Sequence, residues 1–164
     1  MMCARMPDAV KNIFHAGNPE VSIYSEYNDF LTVKCRPDWL CGGDVWDLKT
    51  IDDVDNWERA VRRLDYWFSA GWYQMVMRSE GMAVGAWRWV FAEKTWPYRW
   101  RVVRMSQAYL DHANEEACRI ADLLSNAMEE GKWNDEPETE TVAELPSNLI
   151  DEEFSVTLEG EISI

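Results

Sequence analysis

The chain has 164 residues, 47% of them hydrophobic, with thirty acidic against sixteen basic side chains and a formal net charge of −14. That length suits one domain with a real core plus an additional segment. No apolar run is long enough for a membrane-spanning helix, and "MMCARMPDAVKNIFHAG" lacks the apolar core and small-residue cleavage site of a secretory signal.

The charge is uneven. Residues 129–164 hold twelve acids against Lys132 alone, while the preceding body is nearly balanced. The four cysteines (Cys3, Cys35, Cys41 and Cys118) are scattered in a chain without an export signal, so they read as reduced thiols of a cytoplasmic protein.

In chain order, "VSIYSEY" (21–27) and "FLTVKC" (30–35) read as two strands turned at Asn28-Asp29. "RPDWLCGGDVWDL" (36–48), with a proline and a Gly-Gly pair, reads as a loop. Residues 52–71 read as a helix: Asp52 or Asp53 can cap it, Val54, Trp57, Val61, Leu64 and Trp67 or Phe68 recur at three and four residues, and Gly71 can end it. Strands are expected at 72–78, 82–92 and 98–105, joined by Ser79-Glu80-Gly81 and by "EKTWP". Residues 106–131 read as a second helix, capped by Ser106, apolar along Leu110, Ala113, Ala117, Ile120, Leu124 and Met128, and ended by Gly131. The remaining segment is polar through Thr141 and then regains apolar residues, with "FSVTLEG" alternating like a strand.

These elements predict an α+β domain over residues 1–131. A three-stranded antiparallel sheet packs against two helices behind a small N-terminal hairpin, and an acidic segment over 132–164 follows that can dock as a strand. On the expected 82–105 hairpin, Trp87, Trp89 and Phe91 share one face, and Arg88 and Val90 the other. Tyr98, Trp100 and Val102 likewise oppose Arg99 and Arg101. The aromatic face is therefore expected to form core, and the arginine face to lie outside and pair with the protein's own acids.

The familiar chemical signatures are missing. There is no Walker loop, no G-x-S-x-G and no glycine fingerprint after a strand. His112 with Glu115 or Glu116 could meet on one helix, but nothing else converges on them, and they read as surface residues. Cys35, Cys41 and Cys118 lack the close pairing of a zinc site. Asp44, Asp47, Asp52, Asp53 and Asp55 read as caps and loop solvation, since their spacing is not that of a calcium loop. The expectation is accordingly a non-enzyme with no catalytic residue, metal or cofactor.

Its acidity points to a protein-interaction role: binding the basic surface of a partner, above all a nucleic-acid-binding enzyme. In its sharp form this is a nucleic-acid mimic, an inhibitor of the kind phages direct against host nucleases. The candidate partner-binding residues are Glu115, Glu116, Asp122, Glu129, Glu130, Asp135, Glu136, Glu138, Glu140, Asp151, Glu152 and Glu153. The alternative is nucleic-acid binding through Arg88, Arg99, Arg101 and Lys94, with the acidic segment as regulator. A body without net positive charge argues against direct nucleic-acid binding.

Overall fold

A computed structural model of the protein describes residues 6–133. A short helix α1 (Asp8–Ile13) and a two-residue strand β1 (Asn18–Pro19) precede two hairpins. In the first, β2 (Ile23–Asn28) pairs antiparallel with β3 (Leu31–Cys35), and the Asn28 side-chain carbonyl accepts the N–H groups of Phe30 and Leu31 at 3.1 and 3.0 Å. This is the local closure that makes asparagine a turn residue.

The second hairpin joins β4 (Trp39–Cys41) to β5 (Asp44–Ile51), where a loop was expected. Gly42 and Gly43 turn it with φ of 56° and 91°, and a side chain at Gly43 would also press on the Ala83 carbonyl, 2.8 Å from its Cβ position. The strand is hard to see in sequence because its buried positions are Val45 and Asp47, so a carboxylate stands where the alternation calls for an apolar residue.

The chain then crosses over through a 3₁₀ turn (Val54–Asn56), capped by Asp53, and two helices, α2 (Trp57–Arg63) and α3 (Tyr66–Ser79). The single helix expected over 52–71 is broken at Asp65, which takes a left-handed φ of 50°. The strand expected over 72–78 is instead the second half of α3. Its aromatic and β-branched residues favour a strand by propensity alone, and packing overrides that preference. Gly71 does not stop the helix. It lies against the Ala113 carbonyl of α4 (Gln107–Glu130), where any Cβ would collide, so it lets the two helices touch backbone to backbone. Ala70, Met75, Val76 and Met77 of α3 and Leu110, Ala113, Ala117 and Ala121 of α4 belong to one core.

This crossover returns the chain as β6 (Trp87–Glu93), parallel to β5, with Val45 opposite Trp87 and Ile51 opposite Glu93. β7 (Trp100–Arg104) closes antiparallel on β6. The main sheet is thus five-stranded and mixed, in the order β1-β4-β5-β6-β7, with β2 and β3 forming a separate two-stranded sheet. The protein is α+β, but the expected three-stranded antiparallel sheet with two helices is overturned: one of its strands is helix, and the region expected as loop supplies strands.

The two-faced reading of the 82–105 hairpin is also corrected. In β6, Val90 and Ala92 are as buried as Trp87, Trp89 and Phe91, as befits a strand with a parallel neighbour. The second long helix runs over Gln107–Glu130, with Ser106 accepting the Tyr109 N–H and Gly131 ending it in a left-handed conformation. The strand expected at "FSVTLEG" and the acids Asp135, Glu136, Glu138, Glu140, Asp151, Glu152 and Glu153 lie outside the described residues.

Candidate active site

The β4–β5 hairpin gathers three functional groups. Asp38 follows Pro37 at the entry to β4, and β5 carries Asp47 and Lys49 two residues apart, hence on one face. Asp38 is fixed across the hairpin: its Oδ2 accepts the Leu48 N–H at 2.8 Å. Its backbone carbonyl accepts the Glu20 N–H at 3.1 Å. Asp47 is only 5% exposed. Lys49 Nζ donates to its Oδ1 at 2.9 Å and lies 2.8 Å from Oδ2, yet Oδ2 receives no directed hydrogen bond. The Tyr66 ring lies under the Lys49 ammonium, 4.8 Å to its centre, which holds that charge in place.

The electrostatics follow from burial. Desolvation pushes the Asp47 carboxyl up to about 6, against the pull of Lys49 and with further help from Asp38. Burial alone would lower the Lys49 pKa, but the charge of Asp47, then that of Asp38, outweighs it and holds Lys49 above its ordinary value. Lys49 is therefore an ammonium at neutral pH and cannot act as a base. Tyr73 of α3 is raised by burial first and next by the charge of Asp47, which places its hydroxyl within the field of this cluster.

Residues 3–144 match the family described as a PDDEXK-like domain of unknown function (DUF3799). The chain belongs to this family. The family's name spells a signature, Pro-Asp followed by an Asp or Glu, any residue and a Lys. Here it reads Pro37-Asp38 and Asp47-Leu48-Lys49, the residues that the hairpin brings together. The fold is similar to the crystal structure of a "Putative exonuclease" from Eubacterium rectale, with a TM-score of 0.65 and 19% identity. That likeness covers 93% of this chain, which spans 62% of the Eubacterium rectale chain. No curated protein matches. The expected non-enzymatic inhibitor and nucleic-acid mimic is overturned by membership in this PDDEXK-like family together with a fold similar to that of a protein described as a "Putative exonuclease".

The fold family implies a divalent metal ion, and the residues of this PDDEXK-like domain fit one. Asp47 offers a buried carboxylate whose oxygens lie 2.8 and 2.9 Å from Lys49 Nζ, and Asp38 stands close enough to raise its pKa. Two carboxylates are hard oxygen donors of the kind magnesium uses, with water and substrate phosphate completing its shell. Among the described residues no group of three His, Cys, Asp or Glu side chains that could hold a metal ion converges.

The residues singled out from sequence lie elsewhere. Arg99 pairs with Glu93, Asp53 and Asp55, and Arg101 with Asp55. Lys94 pairs with Asp52, and Arg88 pairs with Asp44 and stacks on Trp46. Of the helix acids, Glu116 holds Arg119, Asp122 accepts the Tyr27 hydroxyl and Glu130 pairs with Lys132, while Glu115 and Glu129 are exposed. His112 stacks on Trp67. Cys35 is buried and Cys41 and Cys118 half-buried, all three as free thiols. Sequence reasoning placed Asp47 among solvated loop acids and passed over Asp38 and Lys49. The signal that could have found them is the alternation Asp44, Trp46, Leu48 against Val45, Asp47, Lys49, which makes a strand with an acid and a base on its inner side.

Proposed function

We propose that the protein is a metal-dependent nuclease that hydrolyses phosphodiester bonds at Asp38, Asp47 and Lys49. The observation that supports this most is the convergence of two acids and a lysine on one hairpin: Asp47, 5% exposed, has both oxygens within 2.9 Å of the Lys49 ammonium, and Asp38 stands close enough to raise its pKa. Such a cluster of charged groups with a perturbed carboxylate marks a candidate site.

Asp38 and Asp47 would hold the metal, which when bound supplies Lewis-acid polarisation of a phosphoryl oxygen and a water acidified for attack. The chain's own groups then do three things. The Leu48 N–H keeps the Asp38 carboxylate aimed across the hairpin. Burial keeps the dielectric low, so that each charge acts strongly on the phosphate. Lys49, whose ammonium lies within 2.9 Å of both Asp47 oxygens, is a three-donor cation to set against the negative charge that builds on the phosphate as water adds and the P–O bond breaks. The similarity to a protein described as an exonuclease supports hydrolysis from a strand end.

The test is digestion of linear and closed-circular DNA by the full chain in magnesium, manganese or EDTA, with Asp47→Asn in parallel. The expected result is loss of linear DNA only, with metal and only in the wild type. Digestion that persists in EDTA or in Asp47→Asn overturns the proposal.

A further inference from the structure

Next to the cluster lies a cleft of about 360 Å³ lined by Ser22, Tyr24, Lys34, Cys35, Arg36 and Tyr73. That volume falls in the range of small-ligand sites, enough for one nucleotide unit. Its floor is the outer face of the β2–β3 hairpin, where Tyr24 stands directly opposite Lys34. Tyr24 is 61% exposed although aromatic. Lys34 has no ion-pair partner among the described residues, and Arg36 has only the exposed Glu20, at 3.1 Å, a pairing of little energetic weight that a phosphate can displace.

The wall is Tyr73, whose ring is held edge-on by Trp87 at 5.7 Å and whose hydroxyl is in the field of Asp47, Lys49 and Asp38. Arg36 is separated from Asp38 by Pro37 alone, which stiffens the link. Tyr73 thus stands between the cleft and the Asp47 cluster, and the cleft brings two cations, Lys34 and Arg36, to that side. A cation without an ion-pair partner among the described residues, set beside an exposed aromatic ring, suits a strand of phosphates and bases.

We propose that this cleft is the subsite for a single polynucleotide strand next to the cutting centre, with Lys34 and Arg36 taking a phosphate and Tyr24 stacking a base. The inference rests on the nuclease reading for its orientation, while its binding claim stands by itself. Stacking needs an unpaired base, so single strands bind here and duplex does not.

The test measures binding of a fluorescein-labelled oligothymidylate to the full chain by anisotropy, in calcium, over a series of salt concentrations. Lys34→Ala/Arg36→Ala is expected to weaken binding about tenfold or more and to reduce the salt slope by about 0.7 for each phosphate no longer neutralised. Tyr24→Ala is expected to weaken binding about tenfold and leave the slope unchanged. Arg119→Ala, outside the cleft lining and paired with Glu116, leaves both unchanged. If the Lys34/Arg36 and Tyr24 variants bind like the wild type, or if duplex binds as well as single strands, the subsite is overturned. Asp47→Asn digestion run alongside separates the two readings. Unchanged binding with Asp47-dependent digestion removes the subsite and keeps the nuclease. A reduced slope without metal-dependent digestion keeps the subsite and removes the nuclease.

Discussion

Asp47 and Glu93 are buried carboxylates on adjacent parallel strands of one sheet, and they are treated in opposite ways. Glu93, 2% exposed, accepts from the Val54 N–H, the Arg99 N–H and the Arg99 guanidinium, and Arg99 is itself tied to Asp53 and Asp55. Hydrogen bonds from Arg99 first, and from the backbone after, hold its carboxyl below the ordinary range. Asp47 has one lysine, an oxygen with no directed bond and a pKa pushed up to about 6 by burial. The contrast separates structure from chemistry. A buried charge tied by backbone and guanidinium together fixes the return of β7 and the 3₁₀ turn, whereas one held by a single lysine is, under the proposed function, the group that takes a ligand.

Substitutions at the two carboxylates test this contrast. The largest effect is expected from Asp47→Asn, which keeps the shape and removes the charge: hydrolysis should fall by about 10³-fold in a protein that still unfolds cooperatively on heating. Matching loss of the thermal transition would make Asp47 a structural residue like Glu93. Next comes Lys49→Ala, with a loss of about 10²-fold. Without its cation Asp47 should become still harder to ionise, so the acid limb of the pH–rate profile should move upward. A limb that stays in place would show that Lys49 does not act on Asp47.

The pH dependence of stability should differ in sign between the two sites. The folded pKa of Asp47 is raised from 3.8 to about 6, so the folded state binds more protons through that window. Its contribution to stability is present below an ordinary aspartate's pKa and is lost as pH rises toward and past 6, by about 3 kcal/mol at most. Wild type minus Asp47→Asn, measured by urea unfolding from pH 4 to 7, should show that decline. Glu93 runs the other way: its pKa is lowered, so its contribution is present above 4.5 and is lost as pH falls below. Glu93→Gln should therefore lower Tm at neutral pH and leave the turnover of folded enzyme unchanged. Reduced turnover at full folding would link that network to catalysis. The smallest effect belongs to Arg101→Ala, whose exposed pair with Asp55 should leave both Tm and activity within error of wild type.

Elements with local signatures were legible. Asn28 turns the first hairpin, Ser106 and Gly131 bound the last helix, and the periodicity of Leu110, Ala113 and Ala117 gives its buried face. These depend on contacts a few residues apart, which the order of residues specifies directly. The crossover was not legible. Whether 72–78 is strand or helix depends on Gly71 meeting the Ala113 backbone far along the chain, and propensity pointed the wrong way.

The site shows the same division most clearly. The sequence by itself determined the charge imbalance, the long helix and hairpin, and the presence of Pro37-Asp38 and Asp47-Leu48-Lys49 as letters. Only the tertiary structure decided that the Gly42-Gly43 stretch closes a hairpin and that β6 lies parallel beside β5. These arrangements bury Asp47, and burial converts an ordinary aspartate into a group near pKa 6 paired to a fixed lysine. Desolvation is a property of everything packed around a residue, and no local run of residues encodes it.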